Sequence, residues 1–149
     1  IVKKENIKSD KKSLDAIIYV SMGDMRKAVN ILQAASSIGK ELSEEEVFNV
    51  SSRARPTEIR EMISLALNAD FIEARKRLDS LMYEHGMSGE DIILQLYREL
   101  MQMPEEEVDS KVKIAMVDTI GEYNFRLVEG ANERIQLEAL LAQFMKFKK

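Results

Sequence analysis

Residues 23–35 read Gly-Asp-Met-Arg-Lys-Ala-Val-Asn-Ile-Leu-Gln-Ala-Ala, and this stretch decides how the chain is built. Apolar residues recur at the spacing of one helix face, and Asp24 is a typical N-cap residue, so we predict a helix from there to about Gly39. The residues that this helix turns inward are Met25, Ala28, Val29, Leu32 and Ala35. The same period recurs nearly everywhere and no convincing pair of alternating strand segments accompanies it. We therefore predict an all-α fold.

Further helices are predicted on both sides of this stretch. A helix from about Lys12 to Met22 precedes it, and a short helix follows at a capping box, Ser43–Glu46. The first of these carries apolar residues on one face, namely Leu14, Ile17, Ile18 and Met22. Pro56 marks the start of a second unit, because proline restricts the residue before it and cannot continue a preceding helix.

The second unit is predicted to be a bundle of five helices with short connections and mostly antiparallel neighbours. Candidate caps stand at Asp70 and Ser88, and the fourth helix follows Pro104. The last helix, from about Asn132 to Phe147, carries apolar residues around a wide arc, which is typical of a helix buried on most sides, either within its own bundle or partly against a neighbouring subunit. The residues of this arc are Ile135, Leu137, Ala139, Leu140, Leu141, Ala142, Phe144 and Phe147.

Composition narrows the class of protein. Of the 149 residues 45% are hydrophobic, which is enough for one ordinary domain or two small ones. Cysteine is absent, and neither a membrane-spanning run nor a signal peptide is visible, so we expect a soluble intracellular protein. The net charge is -4, yet residues 1–40 carry eight basic and four acidic side chains, which makes this part +4. The sequence begins at Ile1 without a methionine, and we expect it to be a fragment.

The chain lacks the motifs of an independent enzyme. Its Gly-Lys pair, Gly39–Lys40, is followed by Glu41 and forms no phosphate-binding P-loop, so ATP hydrolysis by this chain alone is not expected. The single His85 lies at a helix end, where the dipole favours a cation, and no Gly-x-Ser-x-Gly motif is present. We assign no catalytic residue.

Clusters of charge are assigned to solvated surface rather than to a binding site. The acidic runs 44–46 and 105–107 are interpreted as helix-start charge, because adjacent helical positions point in different directions and cannot converge on a metal. No metal site is assigned. The basic residues near the start of the chain are Lys3, Lys4, Lys8, Lys11 and Lys12. They lack the interleaved aromatic residues that are typical of a nucleic-acid-binding site.

Arg26 is the candidate binding residue. It falls in the first turn of a predicted helix, where the positive end of the dipole disfavours a cation. A phosphate would account for this placement, because free backbone N–H groups and a guanidinium at a helix N-terminus together suit an anion. On the residues alone, a salt-bridged surface arginine is the favoured alternative.

Longer strings carry a more specific resemblance. They are residues 23–33, 53–56, 86–91 and 121–137, the last reading Gly-Glu-Tyr-Asn-Phe-Arg-Leu-Val-Glu-Gly-Ala-Asn-Glu-Arg-Ile-Gln-Leu. In this order they resemble the C-terminal part of the small subunits of replication factor C, the archaeal sliding-clamp loader. The resemblance covers essentially the whole chain.

The resemblance implies a truncated AAA+ subunit. Residues 1–52 would be most of its helical lid, and residues 53–149 its collar, the domain through which subunits of the family assemble. In the family a Gly-Asp-Met-Arg motif supplies the sensor-2 arginine to the nucleotide phosphates, and Arg26 matches that position. ATP and Mg²⁺ would then be cofactors of the parent subunit, a DNA-dependent ATPase, and not of this fragment.

The resemblance implies that the parent subunit belongs to an ATP-dependent clamp loader, which places the sliding clamp on primer–template DNA during replication. The implied partners are the other small and large loader subunits, the clamp and the DNA, with a homo-oligomeric assembly in the nucleoid of an archaeal cell. Candidate subunit-interface residues bracket Gly130, namely Arg126, Glu129, Asn132, Glu133, Arg134 and Gln136. Ordinary solvation of helix ends is the alternative for these six.

Two other interpretations stay open. The chain could be a stand-alone helical adaptor or oligomerisation module with no ATP-linked role. It could also be the lid and collar of another AAA+ protein related to clamp loaders, which the sequence encoded upstream of Ile1 would decide.

Overall fold

A computed structural model describes residue 2, residues 4–38 and residues 41–147. Its α-helices are α1 Lys11–Ser21, α2 Met25–Ile38, α3 Glu44–Ser51, α4 Pro56–Leu67, α5 Phe71–Asp79, α6 Gly89–Gln102, α7 Ser110–Val128 and α8 Glu133–Phe144. A π-helical turn, Ser80–Glu84, continues α5, and a 3₁₀ turn, Met145–Phe147, continues α8. Among the described residues no strand forms, although an isolated bridge joins Ser9 to Leu42. The predicted all-α fold is confirmed.

The chain divides into two compact units, Ile1–Arg53 and Ala54–Lys149. The first holds α1 to α3 and the second holds α4 to α8. None of the helices in the described ranges is long and apolar enough to cross a membrane.

The core of the first unit lies where α1, α2 and α3 meet. The buried apolar residues are Ala16, Ile17, Val20, Ile31, Leu32, Ala35, Leu42, Val47 and Phe48. The rings of Tyr19 and Phe48 pack with their centroids 6.1 Å apart. Ser43 and Glu46 form the predicted capping box, in which each side chain accepts a hydrogen bond from the other residue's backbone N–H. A local sequence signal therefore places the start of α3 correctly.

The apolar face that the sequence indicates for α1 is not the buried face. Ile17 is buried, but Leu14, Ile18 and Met22 are 36%, 68% and 49% exposed. The side chains that α1 buries are Ser13, Ala16, Ile17, Val20 and Ser21. Because serine and alanine are small, this side of α1 allows close approach of the neighbouring helices, and hydrophobic periodicity alone does not show that preference.

A second correction concerns the start of α2. Leu32 and Ala35 are buried as predicted, whereas Met25 is 72% exposed and Ile31 is buried in addition. Met25 is the first helical residue, and side chains in a helix lean toward its N-terminus, so Met25 extends past the end of the helix. The predicted helix end at Gly39 lies outside the described residues.

The core of the second unit lies among all five of its helices. Its buried apolar residues include Ile59, Met62, Ile63, Ala66, Ala74, Leu78, Leu81, Ile92, Leu96, Leu100, Met103, Met116, Ile120, Tyr123 and Leu127. Asp70 and Ser88 cap α5 and α6 as predicted, because their side-chain oxygens accept from the N–H groups of Glu73 and Asp91, both at 3.2 Å.

One expectation for the second unit is wrong. The fourth helix of this unit, α7, begins at Ser110 rather than just after Pro104, because Asp109 caps it by accepting from the Lys111 N–H at 2.9 Å. The last helix, α8, leaves part of its apolar arc uncovered within the unit, since Ile135 is 63% exposed and Ala142 is also exposed. Burial of that part against a neighbouring subunit stays a prediction. The buried side of α8 is one stripe, formed by Leu137, Leu140, Leu141 and Phe144.

Candidate functional sites

Arg26 lies at the second position of α2, two residues after the capping residue Asp24. The Asp24 Oδ1 atom accepts from the backbone N–H groups of Arg26 at 2.9 Å and Lys27 at 3.1 Å. We expected free N–H groups at this helix end, and that expectation is wrong for these two. Both already donate to the Asp24 carboxylate. Any phosphate contact here depends on the Arg26 side chain and not on a backbone nest.

The Arg26 side chain is exposed. Its guanidinium makes no hydrogen bond or ion pair with any residue in the described part of the chain. The alternative of a salt-bridged surface arginine therefore finds no partner among those residues. The guanidinium is accessible to an anion from outside the chain.

An apolar groove of about 930 Å³ lies in the same unit, beside α1 and α2. Three exposed apolar side chains that lie outside the core line this groove, namely Leu14, Ile18 and Met25. The remaining lining residues are Val2, Asn6, Ile7, Ser9, Ile17, Ala28, Val29 and Leu32. This groove and the exposed Arg26 share α2, so whatever covers the groove would come close to the start of that helix.

The basic residues near the start of the chain do not converge on a site. Lys8 forms an exposed ion pair with Glu41 at 3.1 Å, and Lys4, Lys11 and Lys12 are exposed. Lys3, and the Gly39–Lys40 pair, lie outside the described residues. Within the described ranges no three His, Asp or Glu side chains are grouped so that they could hold a metal ion.

The remaining charged candidates lie at helix ends or in a turn. His85 Nε2 lies 3.4 Å from Glu58 Oε1, at the C-terminal end of the π-helical turn. Residues 44–46 occupy the first turn of α3, where negative charge stabilises the helix. Residues 105–107 lie in a turn before α7 rather than in its first turn, which corrects their interpretation.

The six candidate interface residues differ in their burial and in their contacts within the chain. Asn132 is the N-cap of α8 and accepts from the Ile135 N–H at 3.0 Å. Arg126 donates to Glu122 Oε1 at 3.0 Å and lies 4.8 Å above the Tyr123 ring. Glu129 and Glu133 are exposed, and Gln136 is half-buried. An interface role for these residues stays a prediction.

Arg134 is engaged inside the second unit. Its Nε donates to Glu138 Oε1 at 2.8 Å, and its Nη1 donates to the Tyr83 hydroxyl at 2.9 Å. Its Nη2 lies 2.5 Å from Asp79 Oδ1, in an ion pair that lacks the alignment of a hydrogen bond. Since Tyr83 lies in the π-helical turn after α5, Arg134 links α8 to the end of α5.

Glu138 is shared between two guanidinium groups. Arg75 Nε donates to the same Oε1 atom at 2.9 Å. The hydrogen bond from Arg75, assisted by the one from Arg134, holds the pKa of Glu138 below its ordinary value. The carboxylate is therefore charged at neutral pH and ties α5 to α8.

Sequence reasoning missed a pair of buried polar residues on α6. Gln95 is 2% exposed and Glu99 0% exposed, four positions apart on the helix. Gln95 Nε2 donates to the Ala54 carbonyl at 2.6 Å, and Glu99 Oε2 accepts from Arg60 Nε at 2.8 Å. The missed signal is that both residues fall on the apolar stripe of α6, between Ile92 and Leu100.

The sequence profile of the family "Replication factor C C-terminal domain" matches residues 54–143. This chain belongs to the replication factor C family. The match lies within the second unit, and it includes Gln95, Glu99 and the six candidate interface residues. Arg26 lies outside it.

Relatives named replication factor C small subunit match almost the whole chain. The one from Methanococcus maripaludis is 54% identical over 143 residues, which is 96% of this chain and 44% of the relative. The one from Pyrococcus horikoshii is 51% identical over 144 residues, which is 97% of this chain and 16% of the relative. The chain thus spans less than half the length of these members of the replication factor C family.

Proposed function

We propose that this chain is the lid and collar of a clamp-loader small subunit, which uses ATP to place a sliding clamp on primer–template DNA. The observation that carries the proposal is identity of about half the residues to replication factor C small subunits over 96% of the chain. A similarity that is confined to a generic helical bundle would not extend across both compact units.

In this proposal residues 1–52 form the lid, and Arg26 is the sensor-2 residue. The exposed guanidinium at the start of α2 supports the assignment. A single charge-assisted contact contributes only about 1.5–3 kcal/mol, so Arg26 alone gives no useful ATP affinity. The ATP and Mg²⁺ would be held chiefly by an ATPase core, and Arg26 would couple nucleotide occupancy to lid position.

The groove beside α1 and α2 also supports a lid role. Its exposed apolar side chains, such as Ile18 and Met25, resemble a surface that another domain covers rather than an ordinary solvated face. An ATPase core seated there would bring its nucleotide toward the start of α2. The groove thus gives the proposed lid a physical means of following the core.

Residues 53–149 form the collar in this proposal, and they join the subunit to other small and large subunits. Of the six candidate residues, Arg126, Glu129 and Glu133 are the best placed for contact with a neighbour, because they are exposed. Arg134 and Asn132 serve the bundle itself through the contacts given above. The proposed setting is the nucleoid of an archaeal cell.

The proposal is tested by clamp loading with the full-length subunit. Arg26→Ala should slow ATP-dependent loading of the clamp onto primed DNA. Lys27→Ala is the matched control, because it removes a cation one position further along the same helix and should leave loading near its normal rate. Loading that is indifferent to Arg26→Ala would instead favour a helical assembly module without an ATP-linked role.

A further inference from the structure

One side of α7 faces away from the core of the second unit, and it is apolar. Its residues recur at helical spacing, and we call this set the outer face of α7: Ile114, Gly121, Phe125 and Val128. The side chains of Ile114, Phe125 and Val128 are 72%, 61% and 64% exposed. A helix that is apolar both toward the core and away from it is typical of a helix that is covered on both sides.

Gly121 lies at the centre of this face, and packing inside the unit does not require a glycine there. A Cβ atom added at Gly121 would meet no described atom within 4 Å. Glycine in the interior of a helix is unfavourable relative to alanine, because it loses more backbone freedom on folding. What the glycine does provide is a bare stretch of helix surface, which something outside the chain can approach closely.

A polar groove of about 660 Å³ lies along α7 and includes Gly121 in its lining. Two charged residues of this lining, Glu122 and Arg126, neutralise each other in an ion pair at 3.0 Å. A third, Asp118, is exposed, and its carboxylate makes no ion pair or hydrogen bond with any residue in the described part of the chain. The lining therefore carries one uncompensated negative charge.

Two neutral side chains of the groove also lack partners. Tyr123 is only 6% exposed, yet its hydroxyl makes no hydrogen bond within the described ranges. A largely buried hydroxyl without a partner is costly. This oxygen is not fully enclosed by the protein, and Tyr123 lines the groove, so a group in the groove can reach it. The half-buried Gln143 side chain of α8 forms no hydrogen bond with the described residues either.

An arginine side chain would satisfy these groups together. Its planar guanidinium carries a permanent positive charge and several N–H donors, and it binds a carboxylate through a pair of parallel hydrogen bonds. Asp118 supplies the carboxylate, and the side-chain oxygens of Tyr123 and Gln143 can accept from the remaining donors. A lysine ammonium is a more strongly hydrated point charge with fewer donors, so it suits this set less well.

We propose that the outer face of α7 docks another subunit, which inserts an arginine side chain into the groove beside Asp118, Tyr123 and Gln143. The unpaired carboxylate selects the charge of the inserted residue, and Gly121 lets the backbone of the partner come close. The exposed apolar side chains then surround the inserted charge and exclude water from it. The inference deepens the proposed collar role and rests on it for the kind of partner, a subunit of the same assembly.

The arginine site is tested on the chain by NMR titration with N-acetyl-arginine amide. The backbone amide of Gly121 and the side-chain amide of Gln143 should shift saturably. Asp118→Asn should weaken binding about tenfold, which corresponds to the loss of one charge-assisted hydrogen bond. Asp15→Asn removes an exposed aspartate of α1 and is the matched control, so it should leave the affinity unchanged.

A neutral ligand completes the titration. N-acetyl-citrulline amide has nearly the same shape as the arginine probe but no charge, and it should not bind. Equal binding of the two ligands would overturn the arginine site. Shifts that are spread evenly over the acidic surface and do not saturate would overturn it as well.

Tyr123→Phe separates binding from folding. The hydroxyl has no partner among the described residues, so its removal should leave the midpoint of urea unfolding unchanged. Binding of N-acetyl-arginine amide should weaken about fivefold, which corresponds to the loss of one neutral hydrogen bond. A lowered midpoint with unchanged binding would show that the hydroxyl serves the bundle and not a ligand.

Docking is tested with the full-length subunit and the other loader subunits, by native mass spectrometry. Gly121→Leu fills the open space and Asp118→Arg reverses the charge, and each should weaken assembly at least about tenfold. Asp15→Arg is the matched control and should assemble normally. If the unaltered subunits and both variants assemble equally well, the docking surface is wrong while the proposed function stands. If the unaltered subunits do not assemble, the proposed collar role fails and the docking proposal fails with it.

Discussion

The ion pair between Arg60 and Glu99 gives the sharpest prediction about stability. The Glu99 side chain is completely buried, whereas that of Arg60 is 39% exposed, and Arg60 Nε lies 2.8 Å from Glu99 Oε2. Removing one member of a fully buried pair costs about 3–5 kcal/mol, because the other charge is left in the interior. Since water reaches Arg60, we expect Arg60→Leu to cost less, about 2–3 kcal/mol.

The assay is urea unfolding followed by tyrosine fluorescence, since Tyr83, Tyr97 and Tyr123 all report on the second unit. Arg77→Leu is the matched control, because it breaks an ion pair with Glu61 in which the side chains are 50% and 49% exposed. That change should cost at most about 1 kcal/mol.

A double variant completes this test. Arg60→Leu combined with Glu99→Leu removes both charges, so the loss of stability should be smaller than the sum of the two single losses. If Arg60→Leu costs no more than Arg77→Leu, or if the two single losses simply add, the reasoning about the buried carboxylate is refuted.

Three further predictions concern other parts of the chain. Asp24→Ala should destabilise the first unit by about 1 kcal/mol in thermal unfolding, whereas Asp24→Asn should keep most of the cap; equal losses would contradict the capping role. Phe144→Ala should cost the second unit about 3–5 kcal/mol in urea, because the ring is fully buried, and a loss below about 1 kcal/mol would show that α8 packs differently. The pKa of Glu138 is lowered in the folded state, so its stabilisation is present above its ordinary value of 4.5 and is lost as the pH falls through the lowered value. Glu138→Gln should therefore destabilise at neutral pH and progressively less in acid, and a deficit that is independent of pH would contradict this assignment.

Short-range signals in the sequence predict most of the helices. Ser43, Asp70 and Ser88 each cap a helix through an N–H three residues later, so the whole signal lies within one turn. Apolar spacing likewise identifies the buried stripes of α4, α6 and α7. These features depend on neighbours in the sequence, and for that reason a single sequence is enough to predict them.

Features that depend on distant contacts are harder to predict. The side of α1 that is buried is decided by how closely its small residues let α2 and α3 approach. The burial of Gln95 and Glu99 requires Ala54 and Arg60, which lie about forty positions earlier. The contacts of Arg134 within the second unit are not predictable from the sequence, because Tyr83 and Asp79, its partners, are separated from it by more than forty positions.

The candidate nucleotide site was predicted only in part. The sequence places Arg26 at a helix start and Asp24 at the cap, and both positions agree with the structure. What the pattern does not show is that the Asp24 carboxylate takes two of the N–H groups that a phosphate would use. The sensing role of Arg26 therefore rests on its side chain alone and stays a proposal.

The affinity of the full-length subunit for ATP tests the central claim most directly. Loss of one charge-assisted hydrogen bond of about 1.5–3 kcal/mol corresponds to roughly a tenfold to hundredfold weaker Kd. We predict that Arg26→Ala weakens ATP binding within this range, while Lys27→Ala leaves the Kd unchanged. An unaltered Kd in Arg26→Ala would contradict the claim that this arginine contacts the nucleotide.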